Sequence, residues 1–126
     1  MGMFKGRYQL SEFTPYTYKT LAELAYTTNK GIAHTVPIGF ITDGASIPRL
    51  FWSFVGSPFT GLYRRAALIH DYLYATQTTK RSYADRIFLE AMKDLGVSWW
   101  KRRVMYLAVR GWGWRPWNKH RKRIKS

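Results

Sequence analysis

TGLYRRAALIHDYLYAT (residues 60–76), the polar connector TQTTKR (76–81) and SYADRIFLEAMKDL (82–95) decide the fold. In the first stretch Leu62, Ala66, Ala67, His70, Leu73 and Tyr74 recur at three- and four-residue spacing, the period of one helix face. In the second, Ala84, Ile87, Phe88, Ala91, Met92 and Leu95 do the same, and Gly96 stops the run. So short a connector predicts two antiparallel helices packed on each other.

Toward the C-terminus a third helix is predicted over residues 98–111. Trp100, Val104, Leu107 and Ala108 face inward in this reading, and Lys101, Arg102, Arg103 and Arg110 face outward. From Gly111 on, Gly, Pro and charge predict irregular chain. Toward the N-terminus residues 5–42 read as β. YTYKTLAELAYTT (16–28) and GIAHTVPIGFIT (31–42) form a hairpin around the turn signal Asn29-Lys30-Gly31, and FKGRYQL (4–10) adds a third strand. Pro37 marks an edge or a bulge. Between the halves, Asp43-Gly44 is a turn. Ser46 is a helix N-cap ahead of Ile47-Pro48, and RLFWSFVG (49–56) is a short helix.

The expected architecture is α+β: a small N-terminal antiparallel sheet, then a three-helix half containing the antiparallel pair. One domain covers residues 1–111, and residues 112–126 form a basic, Trp-rich tail. A chain of 126 residues fits one domain.

Charge is uneven. Residues 98–126 carry ten Lys/Arg and no acid, whereas residues 1–97 carry a net charge of only +4. Such an end attracts polyanions: nucleic acid, an acidic membrane surface or an acidic protein. Arg115, Lys119, Arg121, Lys122, Arg123 and Lys125 are the expected partner-binding residues, and the neighbouring Trp residues suit bases, headgroups or a protein face. A solvated, solubilising tail is the plainer reading. There is no cysteine, which excludes disulfides, thiolate metal sites and cysteine nucleophiles. No apolar run reaches the length of a membrane span, and the N-terminus has no signal-peptide core.

His70 and Asp71 raise the chemical question. The histidine and Tyr74 lie on the buried stripe, while Asp71 is turned by about 100° toward the flank. Antiparallel pairing points Asp85 at His70, and the segment TDGASIP (42–48) is available to cover Asp71. A histidine oriented by a buried carboxylate, with a second carboxylate beside it, can activate water next to a cation. A carboxylate such as Asp71 with loop carbonyls favours a hard ion such as Ca²⁺. Each residue also has an ordinary reading. A core histidine is more often a satisfied polar group than a catalyst. Ser82 and Asp85 fit a capping box. Asp71 is within sequence reach of Arg49, Arg64 and Arg65, and Asp43 fits a turn.

FITDGASIPRLFWSFVGSP (40–58), GLYRRAALIHDYLYA (61–75) and KRSYADRIFLEAMKDLGV (80–97) together resemble the phage and prophage family catalogued as domain of unknown function 1353. That resemblance implies a phage or prophage origin, a virion or host-cytoplasm location and no established activity. HDYLY (70–74) also resembles the H-D-x-x-Y helix of phospholipase A2. ADRIFLEAMK (84–93) is similar to that family's second long helix, and TDGAS (42–46) to the D-G-C-S-like segment of its bacterial and fungal members. The likeness implies His70 as the base that activates water, Asp85 as its orienter, Tyr74 as support and Asp71 as the side-chain Ca²⁺ ligand, with Asp43 and the loop oxygens up to Ser46 completing the calcium shell. The family's cysteines and its glycine-rich calcium loop are absent here. Two functions are therefore expected from different classes. One is an ester hydrolase acting on lipid or cell envelope. The other is a tail, neck or baseplate component whose basic end docks on a partner protein or DNA.

Overall fold

A computed structural model describes residues 2–14, 17–44, 47 and 62–125. Its fold is α+β. Among the described residues, β1 (Met3–Gly6), β2 (Leu10–Thr14), β3 (Thr17–Thr20), β4 (Leu24–Thr27), β5 (Ala33–Val36) and β6 (Ile41–Thr42) precede four helices. These are α1 (Arg64–Thr76), α2 (Arg81–Asp94), α3 (Trp99–Trp112) and α4 (Trp114–Lys125). The expected N-cap Ser46 and the helix over residues 49–56 lie outside the described residues.

Where one sheet was expected, the strands form two, in the orders β1-β4-β5 and β2-β3-β6, every pairing antiparallel. The expected strand over 16–28 divides at Thr20. The Thr20 amide donates to the Phe40 carbonyl at 2.9 Å, and its hydroxyl donates to the Pro37 carbonyl at 2.7 Å. Those bonds draw β3 toward β6 while β4 continues into the other sheet. The facing chain bends at the same level. Gly6 has φ +95°, and a Cβ on it would fall 2.2 Å from the Glu23 carbonyl oxygen, so the bend requires glycine. The β4–β5 hairpin turns where expected, with Thr28 N–H donating to the Ile32 carbonyl. Pro37 follows β5, an edge strand.

α1 and α2 pack on each other and bury the residues their periodicity assigned: Ala66, Ala67, His70, Leu73 and Tyr74 on one, Ala84, Ile87, Phe88, Ala91 and Met92 on the other. α1 also buries Leu68, Ile69 and Asp71, because the hairpin strands β4 and β5 cover its other side. α2 ends as Gly96 predicts. Gly96 takes φ +81°, its N–H reaches the Lys93 carbonyl, and Val97 N–H reaches that of Met92.

α3 buries Ala108 as expected and half-buries Val104, but it corrects Trp100 and Leu107 of the expected inward face. Met105, Ala108 and Val109 are buried, while Trp100 is 49% and Leu107 68% exposed. The helix carries apolar residues on two adjacent stripes, and the more slender one packs. The irregular end expected after Gly111 is also corrected, since residues 114–125 are helical. Pro116 sits in the first turn of α4, where its missing N–H breaks no helical bond. The helix packs back on α1.

Candidate functional site

Three helices converge on the carboxylate of Asp85, and a fourth packs behind it. α1 supplies His70 and Tyr74 one turn apart, so both rings meet the same edge of α2. His70 Nε2 lies 2.8 Å from Asp85 Oδ1, and the Tyr74 hydroxyl donates to that oxygen at 2.6 Å. α3 reaches across with Arg110, whose Nη1 donates to Oδ2 at 2.9 Å. Arg81, one turn before Asp85 on α2, stands 3.6 Å from Oδ2 and donates to the Val109 and Arg110 carbonyls at the end of α3. α4 closes the group: the Trp117 ring meets Tyr74 edge-on, centroids 5.1 Å apart, and Gln77 donates its side-chain N–H to the Trp117 carbonyl.

This cluster lies in the core. His70, Tyr74 and Asp85 have no exposed surface and Asp71 has 2%. The His70 ring stacks at a tilt on Tyr74 and Phe88, centroids 4.3 and 4.6 Å away. Burial lowers the His70 pKa below the ordinary histidine value, outweighing the Asp85 carboxylate. Burial would raise Asp85, but the bonds from His70, Tyr74 and Arg110 outweigh it and hold the carboxyl below its usual range. Burial and the Asp85 charge together raise the Tyr74 phenol, which stays a donor. These directions describe one state: a neutral imidazole donating through Nε2 to an ionised carboxylate whose charge the two arginines meet.

Of the residues singled out in the sequence, the structure brings His70, Tyr74 and Asp85 together. Asp71 points to the flank, where its Oδ2 accepts the Thr42 hydroxyl at 2.5 Å. Asp43 follows Thr42 and is half-buried. Among the described residues no group of three or more His, Asp or Glu stands where it could hold a metal ion. The capping-box reading of Asp85 is corrected: Lys80 is the N-cap of α2, Ser82 is exposed and Asp85 is buried. Arg115, Lys119, Arg121 and Lys122 lie on α4 and are exposed; the side chains of Arg123 and Lys125 lie outside the described ones. Arg115 stacks over Trp112 and Trp114, with its guanidinium 5.5 and 5.3 Å from the ring centroids.

Arg81, Arg110, Gly113 and Trp117 belong to the cluster but were not assigned to it from sequence. The four-residue spacing of Arg81 and Asp85 is a signal that could have found one of them. Gly113 is there because a Cβ would fall 2.3 Å from both the Tyr74 hydroxyl and the Val109 carbonyl oxygen. Nothing local in the sequence marks it.

A family model for a protein of unknown function, DUF1353, matches residues 18–109. The chain belongs to that family. Two uncharacterized proteins of Sinorhizobium fredii (strain NBRC 101917 / NGR234) are similar to it. Protein y4jT is 38% identical over 96 residues, covering 76% of this chain and 29% of y4jT. Protein y4iH is 34% identical over 92 residues, covering 73% of this chain and 38% of y4iH. The chain thus spans roughly a third of the length of the curated relatives it matches. No solved structure matches it.

Proposed function

We propose for this member of the DUF1353 family a hydrolytic site in which His70 is the general base, Asp85 orients it and Tyr74 supports the carboxylate. The observation that carries the reading is the meeting of the His70 Nε2 and the Tyr74 hydroxyl on one Asp85 oxygen. In this reading the neutral imidazole takes a proton from water. The hydroxide attacks an ester carbonyl, and His70 returns the proton to the leaving alcohol. This is the chemistry implied by the phospholipase A2 resemblance of HDYLY, and a lipid or cell-envelope ester from a phage or prophage setting is the substrate class proposed. The described residues do not themselves form a calcium shell, and the scheme routes no step through one. The described form seals the His70 ring from solvent, so turnover requires a form in which a substrate reaches it. A His70→Gln variant that folds but loses esterase activity on phospholipid or short-chain esters supports the reading; one that retains full activity overturns it.

The complete burial of His70 and Asp85 favours a second reading, in which the cluster fastens the helices. The protein then serves as a virion or assembly component that docks through the exposed cations of α4. In that case purified protein lacks esterase activity, and reversing Arg121 and Lys122 abolishes binding to DNA or to virion proteins.

A further inference from the structure

Away from the Asp85 cluster, a concavity of about 440 Å³ opens between the β4–β5 turn and the outer faces of α2 and α3. Its walls hold Lys30, Arg86, Lys93, Arg102 and Arg103. They come from the β4–β5 turn, α2 and α3 in order; on α2 the three- and four-residue steps Tyr83, Arg86, Glu90, Lys93 set one wall. The acid among them, Glu90, already accepts the Tyr26 hydroxyl at 2.5 Å and the Asn29 N–H at 3.3 Å. Those neutral donors fix its carboxylate against the turn, and its charge leaves the five cations with a net excess of four. Five cations facing one hollow repel each other, and the hollow focuses that field on whatever enters. Its floor is not polar: Ile32, Ile87 and Leu89 line it. Tyr83 stands at its side with its hydroxyl 2.9 Å from His34 Nε2, which fixes the ring.

We propose that this hollow binds a phosphate-bearing organic anion of nucleotide size. The cations take the phosphates, and the aliphatic floor with the Tyr83 ring takes the organic part. The volume lies in the range of small-ligand sites. A free nucleotide and one nucleotide unit of a single strand share this chemistry. The site is independent of the proposed hydrolytic centre and of the cationic α4.

Titration of the full chain with ATP, followed by calorimetry, tests it. Arg86 and Lys93 are exposed, so reversing both should leave the melting temperature within a few degrees. The Arg86→Glu, Lys93→Glu pair is expected to weaken ATP roughly tenfold or more. The Arg121→Glu, Lys122→Glu pair on α4 leaves it within about twofold. If the first pair melts early, Arg86→Gln with Lys93→Gln keeps the test open and should weaken ATP in the same direction. A twenty-residue oligothymidine that displaces ATP, and loses affinity with the same pair, identifies a strand as the source; failure to displace it identifies the free nucleotide. The proposal is overturned if ATP does not bind, if reversal at 86 and 93 changes nothing, or if the α4 pair weakens ATP equally. Full competition by equimolar inorganic phosphate also overturns it, since the organic part would then contribute nothing.

Discussion

Arg110 and Asp85 meet across 25 positions of chain, guanidinium Nη1 to carboxylate Oδ2, at 2.9 Å. That contact ties α3 to a carboxylate already holding α1 through two rings. Asp85→Asn keeps the shape and removes the charge, leaving two arginines without their counter-ion. The expected loss is about 1–3 kcal/mol of unfolding free energy, because a fully buried acceptor loses its charge-assisted bonds while the partly exposed arginines turn to water. Urea denaturation measures it, and an unchanged midpoint would show that the arginines are satisfied elsewhere.

His70 sets a pH dependence. Its folded pKa lies below its unfolded value, so the unfolded chain binds the proton first as pH falls. Stability from this group is complete above the ordinary histidine pKa and is lost as pH drops below it, by at most about 1.4 kcal/mol per pH unit for one proton. Asp85, also lowered, adds its loss at more acid pH. Burial lowers His34 in the same direction, so the quantity to read is the difference between wild type and His70→Gln. Melting temperatures between pH 7.5 and 5 should fall more steeply for wild type. Parallel curves would mean that folding leaves the His70 pKa at its unfolded value.

Gly113 and Gly111 should respond oppositely to alanine. At 113 the new methyl meets the Tyr74 hydroxyl and the Val109 carbonyl, and overpacking there should cost about 1–3 kcal/mol. At 111, inside α3, a Cβ meets nothing within 4 Å, and the better helix former should stabilise by up to about 1 kcal/mol. Thermal melts of the two single variants decide this; equal effects would place the Tyr74 hydroxyl elsewhere.

Trp117→Ala should release α4 from α1. It removes the ring against Tyr74 and leaves the Gln77 side-chain bond to the residue 117 carbonyl in place. The expected outcome is faster tryptic cleavage among Lys119, Arg121 and Lys122 with a loss of roughly 1–3 kcal/mol. Cleavage at the wild-type rate would show that the ring carries none of the docking.

Periodicity made α1 and α2 legible, and their antiparallel connection made the His70–Asp85 meeting legible too. What sequence hid was choice between equals. Ala108 was legible, but α3 has two apolar stripes, and only packing against α2 selects Met105 and Val109 over Trp100 and Leu107. That choice brings Arg110 inward, where charge alone argued for solvent. The division of the sheets at Thr20 depends on bonds to Pro37 and Phe40, residues far along the chain. The docking of α4 sets Trp117 against Tyr74, a contact no local pattern announces. Such facts are tertiary, and local propensity yields to them.

The Tyr26 hydroxyl, which donates to Glu90 and Asp94, spans 64 and 68 positions of chain, whereas every bond into Asp85 spans 25 or fewer. Loop closure makes long spans slow to form. The helices should therefore condense first, with the strands arriving onto a finished surface. Stopped-flow refolding of Tyr26→Phe should show a mainly faster unfolding limb, and Asp85→Asn a slower folding limb. The reverse pattern would make the strands, not the helices, the nucleus.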